Sequence, residues 1–424
     1  MTSRLSTMVR RVADGEVSPS ALVAETLRGI EAREADLAAW VRLDERGALA
    51  AARELDGAVR AGPLRGIPFG VKDIVDVAGL PTECGSPLRE GQIADRDAEV
   101  VGMLRRAGAV PVGKTVTTEF AYFAPGPTRN PHNPAHTPGG SSSGSAAAVG
   151  AGTVPLAIGS QTAGSLTRPA AFCGAAGLVA PGLPTAGFAA LAPSLDSVGL
   201  LAAAVADLTL TFTALTGTAP VVAATPPSLV VWSGTEVADV EPAMTAAVAE
   251  TVRLAEERGA RVTGLGLPEL TLALVAAHEK VMAYEAVRAL AEEARHPRQL
   301  SPQLGELLAT GSRISDEEYY AARAVAHRHR PTVLGLLAEG TFILAPAAPG
   351  AAPRGLAATG SPVLSRPWQL LRLPVVTVPG CRTEDGLPLG VQLVGHPDRV
   401  PELLAAAEWV EELTRAVPAG RGER

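Results

Sequence analysis

Gly139-Gly140-Ser141-Ser142-Ser143-Gly144-Ser145, followed by Thr162-Ala163-Gly164-Ser165 and preceded by Gly70-Val71-Lys72-Asp73, carry the reading of this chain. A backbone this rich in Gly and Ser turns sharply enough to aim hydroxyls and amide N–H groups at one small pocket. Nucleophilic attack on a carbonyl, with stabilisation of the oxyanion, needs that equipment. Taken alone, Gly139 to Ser145 is also what a flexible linker looks like. Its flanks argue otherwise. Asn130-Pro131-His132-Asn133-Pro134 and Thr137-Pro138 stiffen the approach, and Ala146-Ala147-Ala148-Val149 continues as a packed helix, so the run reads as a structured turn at a helix N-terminus. The second small-residue loop, Gly159 to Gly174, follows the strand-like Val154 to Ile158.

Working outward, residues Ser18 to about Arg60 read as a helical layer, with Ser18-Pro19-Ser20 as a start signal and Leu22, Leu27, Ile30 and Leu37 along one face. Gly66 to Val77 reads as a buried strand, Ala98 to Ala107 as a helix, and Ala109 to Val112 as a second strand. Alternating units of this kind predict an α/β fold, a mixed central sheet covered by helices on both faces. Composition shifts at 218–228 and 346–362 set off a helical stretch between them. One domain over 1–424 is expected: a helical N-terminal layer (about 1–60), a catalytic core (about 62–210), a peripheral helical region (about 236–335) and a C-terminal core segment (about 340–415). The tail from Pro418 reads as loose.

The 424 residues are 47% apolar and 19% charged, enough for a substantial core. A net charge of −7 without Lys/Arg clusters excludes a general nucleic-acid binder. Cys84, Cys173 and Cys381 form no Cys-x-x-Cys pair and read as reduced, buried thiols. Arg4, Arg10 and Arg11 without an apolar core make the N-terminus unlike a secretory signal, so the cytoplasm is expected. The uncharged stretch between Arg168 and Asp196 is broken by Pro169, Pro181, Pro184 and Pro193 and reads as core strands and loops, not a membrane span. Gly108-Ala109-Val110-Pro111-Val112-Gly113-Lys114-Thr115 matches the phosphate-loop pattern G-x-x-x-x-G-K-[ST], but a helix precedes it and its middle reads as the strand itself, so a nucleotide site is not expected. His278-Glu279 lacks the second His of a zinc motif, and His327 and His329 sit in a basic helix; no metal or cofactor is expected.

From about Leu64 to Asp207, and more weakly through Arg366-Pro367-Trp368 and Gly386 to Gly395, the chain resembles the amidase signature enzymes, hydrolases built on a Ser, cis-Ser, Lys triad. The resemblance implies that Lys72 is the base, Ser141 the serine on a cis peptide, Ser165 the nucleophile, and the backbone of Thr162, Ala163, Gly164 and Ser165 the oxyanion hole. A lysine acts as a base near neutral pH only if burial destabilises its charge. Neutral Lys72 would then draw the Ser165 proton through Ser141. Ala163 stands where many relatives have Gly, Ser143 replaces a Gly, and Val179 replaces the Lys of a Gly-Leu-Lys-Pro segment. A positive φ at Ala163 would strain the loop, and Val179 would alter the pocket lining.

The stretches Thr137 to Ser145 and Thr359 to Pro362 look most like the short malonamidase-type members, which act on small amides bearing a carboxylate. By that likeness Arg168 grips the substrate carboxylate, with Gln161 and Ser142 also at the substrate; the competing reading of Arg168 is a structural pair with a core carboxylate. The expected partner is a small-molecule amide, cleaved to an acid and ammonia or an amine, and a homodimer is compatible with the reading. The alternatives are an amidotransferase subunit working with a second protein, or an amidase for neutral or aryl amides.

Overall fold

The computed structural model describes residues 4–58, 62–222 and 225–417. Eleven strands form one sheet: β1 (Trp40–Leu43), β2 (Pro68–Lys72), β3 (Val110–Thr115), β4 (Leu156–Gln161), β5 (Ala176–Ala180), β6 (Ser197–Ala202), β7 (Ser228–Val231), β8 (Arg261–Gly264), β9 (Thr341–Pro346), β10 (Val375–Arg382) and β11 (Pro388–Val394). Their order across the sheet is β1-β3-β2-β4-β6-β5-β10-β11-β9-β7-β8. β2 runs parallel to β3 and β4, whereas β4, β6, β5, β10, β11 and β9 alternate antiparallel, so the sheet is mixed and flanked by helices. The central strands are buried along their whole length, which is why β4 to β6 read as continuous apolar or small-residue runs rather than alternating ones.

The N-terminal layer departs from the sequence reading. Helices Pro19–Leu37 and Glu45–Asp56 form, the first capped by Ser18 accepting from the Ala21 N–H, but Trp40–Leu43 between them is a strand paired antiparallel with β3. Four residues are too few for periodicity to register. The strand expected over Gly66 to Val77 ends at Lys72, and the helix expected at Ala98 runs Glu99–Arg106. The phosphate-loop look-alike is β3: Lys114 is buried, its Nζ 2.9 Å from an Asp73 carboxylate oxygen and donating to the Pro81 carbonyl and the Thr82 hydroxyl. After Arg168 the uncharged stretch becomes the end of a helix, Thr167–Cys173, then β5 and loop. Among the described residues no helix is long and apolar enough to cross a membrane. The three cysteines are buried and unpaired, and burial pushes the Cys84 thiol up to about 12. The tail from Pro418 lies outside the described residues.

The parallel pairing decides where Lys72 lies. β2 and β4 run side by side, so Lys72 at the carboxyl end of one neighbours the loop that leaves the carboxyl end of the other. In open α/β sheets that edge is where chemistry is placed.

Candidate active site

Lys72 is fully buried and donates from Nζ to the Ser141 hydroxyl at 2.6 Å and to the Ser160 hydroxyl at 2.8 Å. Burial pushes its ammonium down to about 7, a shift opposed by the buried Asp196 carboxylate and assisted by Arg168. The amine is therefore available as a base near neutral pH. Ser141 follows a cis Gly140–Ser141 peptide bond and precedes helix Ser143–Gly150. Gly144 lets that helix press against its neighbours: a Cβ there would lie 2.1 Å from the Ala39 carbonyl oxygen. Ser143, the Gly replacement, donates its hydroxyl to the Val116 carbonyl at 3.3 Å.

Ser165 sits in the turn between β4 and helix Thr167–Cys173 and lines the same cavity as Ser141, Thr162, Ala163 and Arg168. Ala163 has no positive φ, so the strain its side chain threatened is absent. The N–H groups of Ala163, Gly164 and Ser165 donate to no acceptor among the described residues, leaving three donors beside the Ser165 hydroxyl. Thr162 is held twice: its hydroxyl donates to Asp196 at 2.6 Å, and its carbonyl accepts from His278 Nε2 at 2.8 Å. Asp196 accepts two more bonds, from the Leu191 and Ala192 N–H groups, and burial raises its carboxyl to about 6.

Two expected substrate contacts are corrected. Gln161 is fully buried; its Oε1 accepts from the Leu166 and Thr167 N–H groups, both at 3.0 Å, and its Nε2 donates to Gln369 Oε1. It ties down the start of the helix behind Ser165 and presents no atom to the cavity. Ser142 is likewise fully buried, exchanging hydrogen bonds with the backbone of Ser160. Val179 stands in the sheet core, paired with Gly199 and Val375, and does not alter the pocket.

Arg168 lines the cavity and has no carboxylate partner among the described residues. Its Nη1 donates to the Gly360 carbonyl at 2.5 Å, its Nη2 to the Gly140 carbonyl, and Nε has no partner. Its guanidinium lies over the Phe123 ring, 5.6 Å from the centroid. Burial, with Arg366 nearby, lowers its pKa to about 9. A buried cation left uncompensated is costly unless something anionic joins it. The structural-pair reading of Arg168 therefore loses its partner.

The cavity itself is about 10 Å³. Tyr122 and Phe123 close it from one side, within a loop where Phe120, Ala121 and Phe123 have φ of 44°, 61° and 33°. Bulky side chains in the left-handed region are strained. Glu119 anchors the loop's start, accepting from the Ser86 hydroxyl and the Ser301 N–H.

Ser160, Asp196, His278 and Gln369 escaped sequence reasoning. The loop expected from Gly159 begins later, because β4 runs through Gln161; Ser160 is therefore a strand residue, two positions from Ile158, and that alternation is the available signal, whereas the other three come from distant segments.

A buried lysine that meets two serine hydroxyls, beside a third serine with three idle amide donors, is equipment suited to acyl transfer. The chain belongs to the amidase family, whose model, described as Amidase, matches residues 21–404. The A subunit of the glutamyl-tRNA(Gln) amidotransferase from Roseiflexus castenholzii is 32% identical over 465 aligned positions, covering 95% of this chain and 94% of the relative. That alignment is longer than the 424-residue chain, so the relative carries stretches with no counterpart here. A crystal structure of an amidase superposes with a TM-score of 0.88 at 28% identity, covering 96% of this chain and 99% of that one. The native peptide amidase of Stenotrophomonas maltophilia superposes at 0.81 and 28% identity, covering 99% and 98%. These similarities establish an enzyme that cleaves amide C–N bonds. The malonamidase-type likeness expected from the sequence is not what the relatives carry; amidotransferase A subunits stand in its place.

Proposed function

We propose that this enzyme hydrolyses a small, carboxylate-bearing primary amide to an acid and ammonia through an acyl-enzyme on Ser165. The observation that carries the reading is Lys72, buried and shifted to about 7, hydrogen-bonded to Ser141 at the cavity that Ser165 also lines. Neutral Lys72 takes the Ser141 proton as Ser141 takes that of Ser165, and the Ser165 oxygen adds to the amide carbon. The oxyanion is met by the idle N–H groups of Ala163 to Ser165. The relay then returns a proton to the departing nitrogen as the C–N bond breaks, and water attacks the ester by the same route. Arg168 supports the carboxylate-bearing substrate, because a cation without a counterion borders the cavity.

The relatives' name supports one setting above the other. An amidotransferase A subunit works within an assembly, so the first reading is that the ammonia is handed to a partner protein, with glutamine as the amide. The net charge of −7 supports a chain that does not itself hold tRNA. The free-standing hydrolase of a malonamate-like amide is the second reading, supported by the amidase structures.

Ammonia release by the purified chain from glutamine, a malonamate-like amide and a neutral short-chain amide tests both settings. Turnover of the acidic amides alone supports the second reading. Silence that ends only when a partner protein is added supports the first. Arg168→Ala should lower kcat/KM on carboxylate-bearing amides by roughly 2–4 kcal/mol, the scale for truncating one side of a desolvated charge pair, and spare neutral amides. Equal loss on both would make Arg168 structural.

A further inference from the structure

Helix Pro268–Ala289 belongs to the peripheral region, remote in sequence from Lys72, Ser141 and Ser165, yet at His278 it reaches the nucleophile loop. His278 is fully buried. A carbonyl oxygen can only accept, so the hydrogen bond to the Thr162 oxygen places the ring proton on Nε2 and leaves the lone pair on Nδ1, which has no partner among the described residues. Burial and the neighbouring Arg366 push the imidazolium down to about 3, which leaves a neutral donor. One ring nitrogen is idle, and the other is committed to the loop backbone.

That commitment has a directional effect. The Thr162 carbonyl and the Ala163 N–H belong to the same trans peptide, whose C=O and N–H point to opposite sides. Holding the oxygen toward His278 turns the Ala163 N–H away from it, and Ala163 borders the cavity that Ser141 and Ser165 line. The Thr162 hydroxyl, tied to Asp196, fixes the same residue from a second direction.

We propose that His278 is a positioning residue that sets the Ala163 N–H as an oxyanion donor, acting through the Thr162 carbonyl without touching substrate. The inference rests on the acyl-enzyme reading of Ser165. It also means that a helix outside the triad-bearing segments helps to assemble the oxyanion hole.

The test compares the second-order rate at which a small alkyl fluorophosphonate labels Ser165 in the wild type, His278→Leu, His278→Met and His278→Gln, with thermal midpoints measured alongside. The reagent's phosphoryl oxygen occupies the oxyanion site, so no substrate need be known. Gln carries an amide donor of similar reach; Leu and Met carry none, and unbranched Met serves should Leu fail to fold. Labelling should slow about 10- to 100-fold in the donor-free variants, less than the loss of a whole oxyanion donor, and recover most of its rate in His278→Gln. On a turned-over amide kcat should fall with KM unmoved, and the pH midpoint set by Lys72 should stay where it is. A folded donor-free variant labelled at the wild-type rate, or a folded His278→Gln as slow as His278→Met, overturns the inference. A wild type that takes no label removes the acyl-enzyme reading and this inference together, whereas a labelled wild type with an unaffected His278→Met removes only the inference.

Discussion

In the proposed mechanism Lys72 is the base, and its environment sets the expected pH response. Because burial holds the folded-state value near 7, well below the usual lysine range, the proton is lost as pH rises through 7, and only the neutral amine accepts a proton from Ser141. The rate should therefore climb with pH and level off above about 8, one unit past the midpoint; a kcat/KM profile with no inflection between pH 6 and 8 would remove Lys72 as the base. The residue types of the site were legible because the chemistry restricts them: a lysine and small hydroxyl residues in glycine-rich turns. Directions were not. Gln161 and Ser142 flank the functional serines in sequence, yet Gln161 points back to the helix start and Ser142 to the Ser160 backbone. Spacing gives proximity along the chain, whereas the side of the backbone a group takes is set by its hydrogen-bond partners. Ser160, which meets Lys72 at 2.8 Å, was overlooked for the same reason.

At the scale of elements, β3 shows how a motif can be spelled in full and mean something else. Within Gly108 to Thr115, Val110–Thr115 forms a buried strand, and Lys114 pairs with Asp73 from the segment after β2. The partner is distant in sequence, so only the pairing of β2 with β3 could reveal it. Removing one side of a buried ion pair leaves the other uncompensated, so Lys114→Ala should destabilise the protein by roughly 3–5 kcal/mol in denaturant titrations. ATP should leave the thermal midpoint of the wild type unchanged; a saturable rise would restore the phosphate-loop reading. β1 was missed because its four residues, flanked by two helices, look like a turn. Its pairing with β3 places Trp40 and Leu43 against the strand that carries Lys114.

For the whole molecule, the alternation of helical and strand segments announced a sheet flanked by helices, but not its order. Neighbours such as β5 with β10 and β11 with β9 join segments far apart in the chain, and these pairings are decided by three-dimensional packing rather than local pattern. The sheet runs unbroken from β1 to β8, and the helical region between β8 and β9 joins its long helix to the loop that carries Ser165, through His278 and the Thr162 carbonyl. One cooperative unit is the reading this continuity supports. Calorimetry should give a single transition with calorimetric and van't Hoff enthalpies in agreement. Two resolved transitions would mean that the peripheral helical region folds by itself.

The cavity beside Ser165, at about 10 Å³, has room for about one water molecule. For an amide to reach Ser165 the cavity must widen, and we expect the left-handed segment around Phe123, which borders it, to be the part that yields. Opening that precedes the chemical step should lower the labelling rate by a similar factor for reagents of different bulk, since each needs the same open form. Stopped-flow labelling with short and long alkyl fluorophosphonates measures this. Rates all quickened by a similar factor in Phe123→Ala are expected; a gain that varies steeply with reagent size would instead describe a fixed aperture.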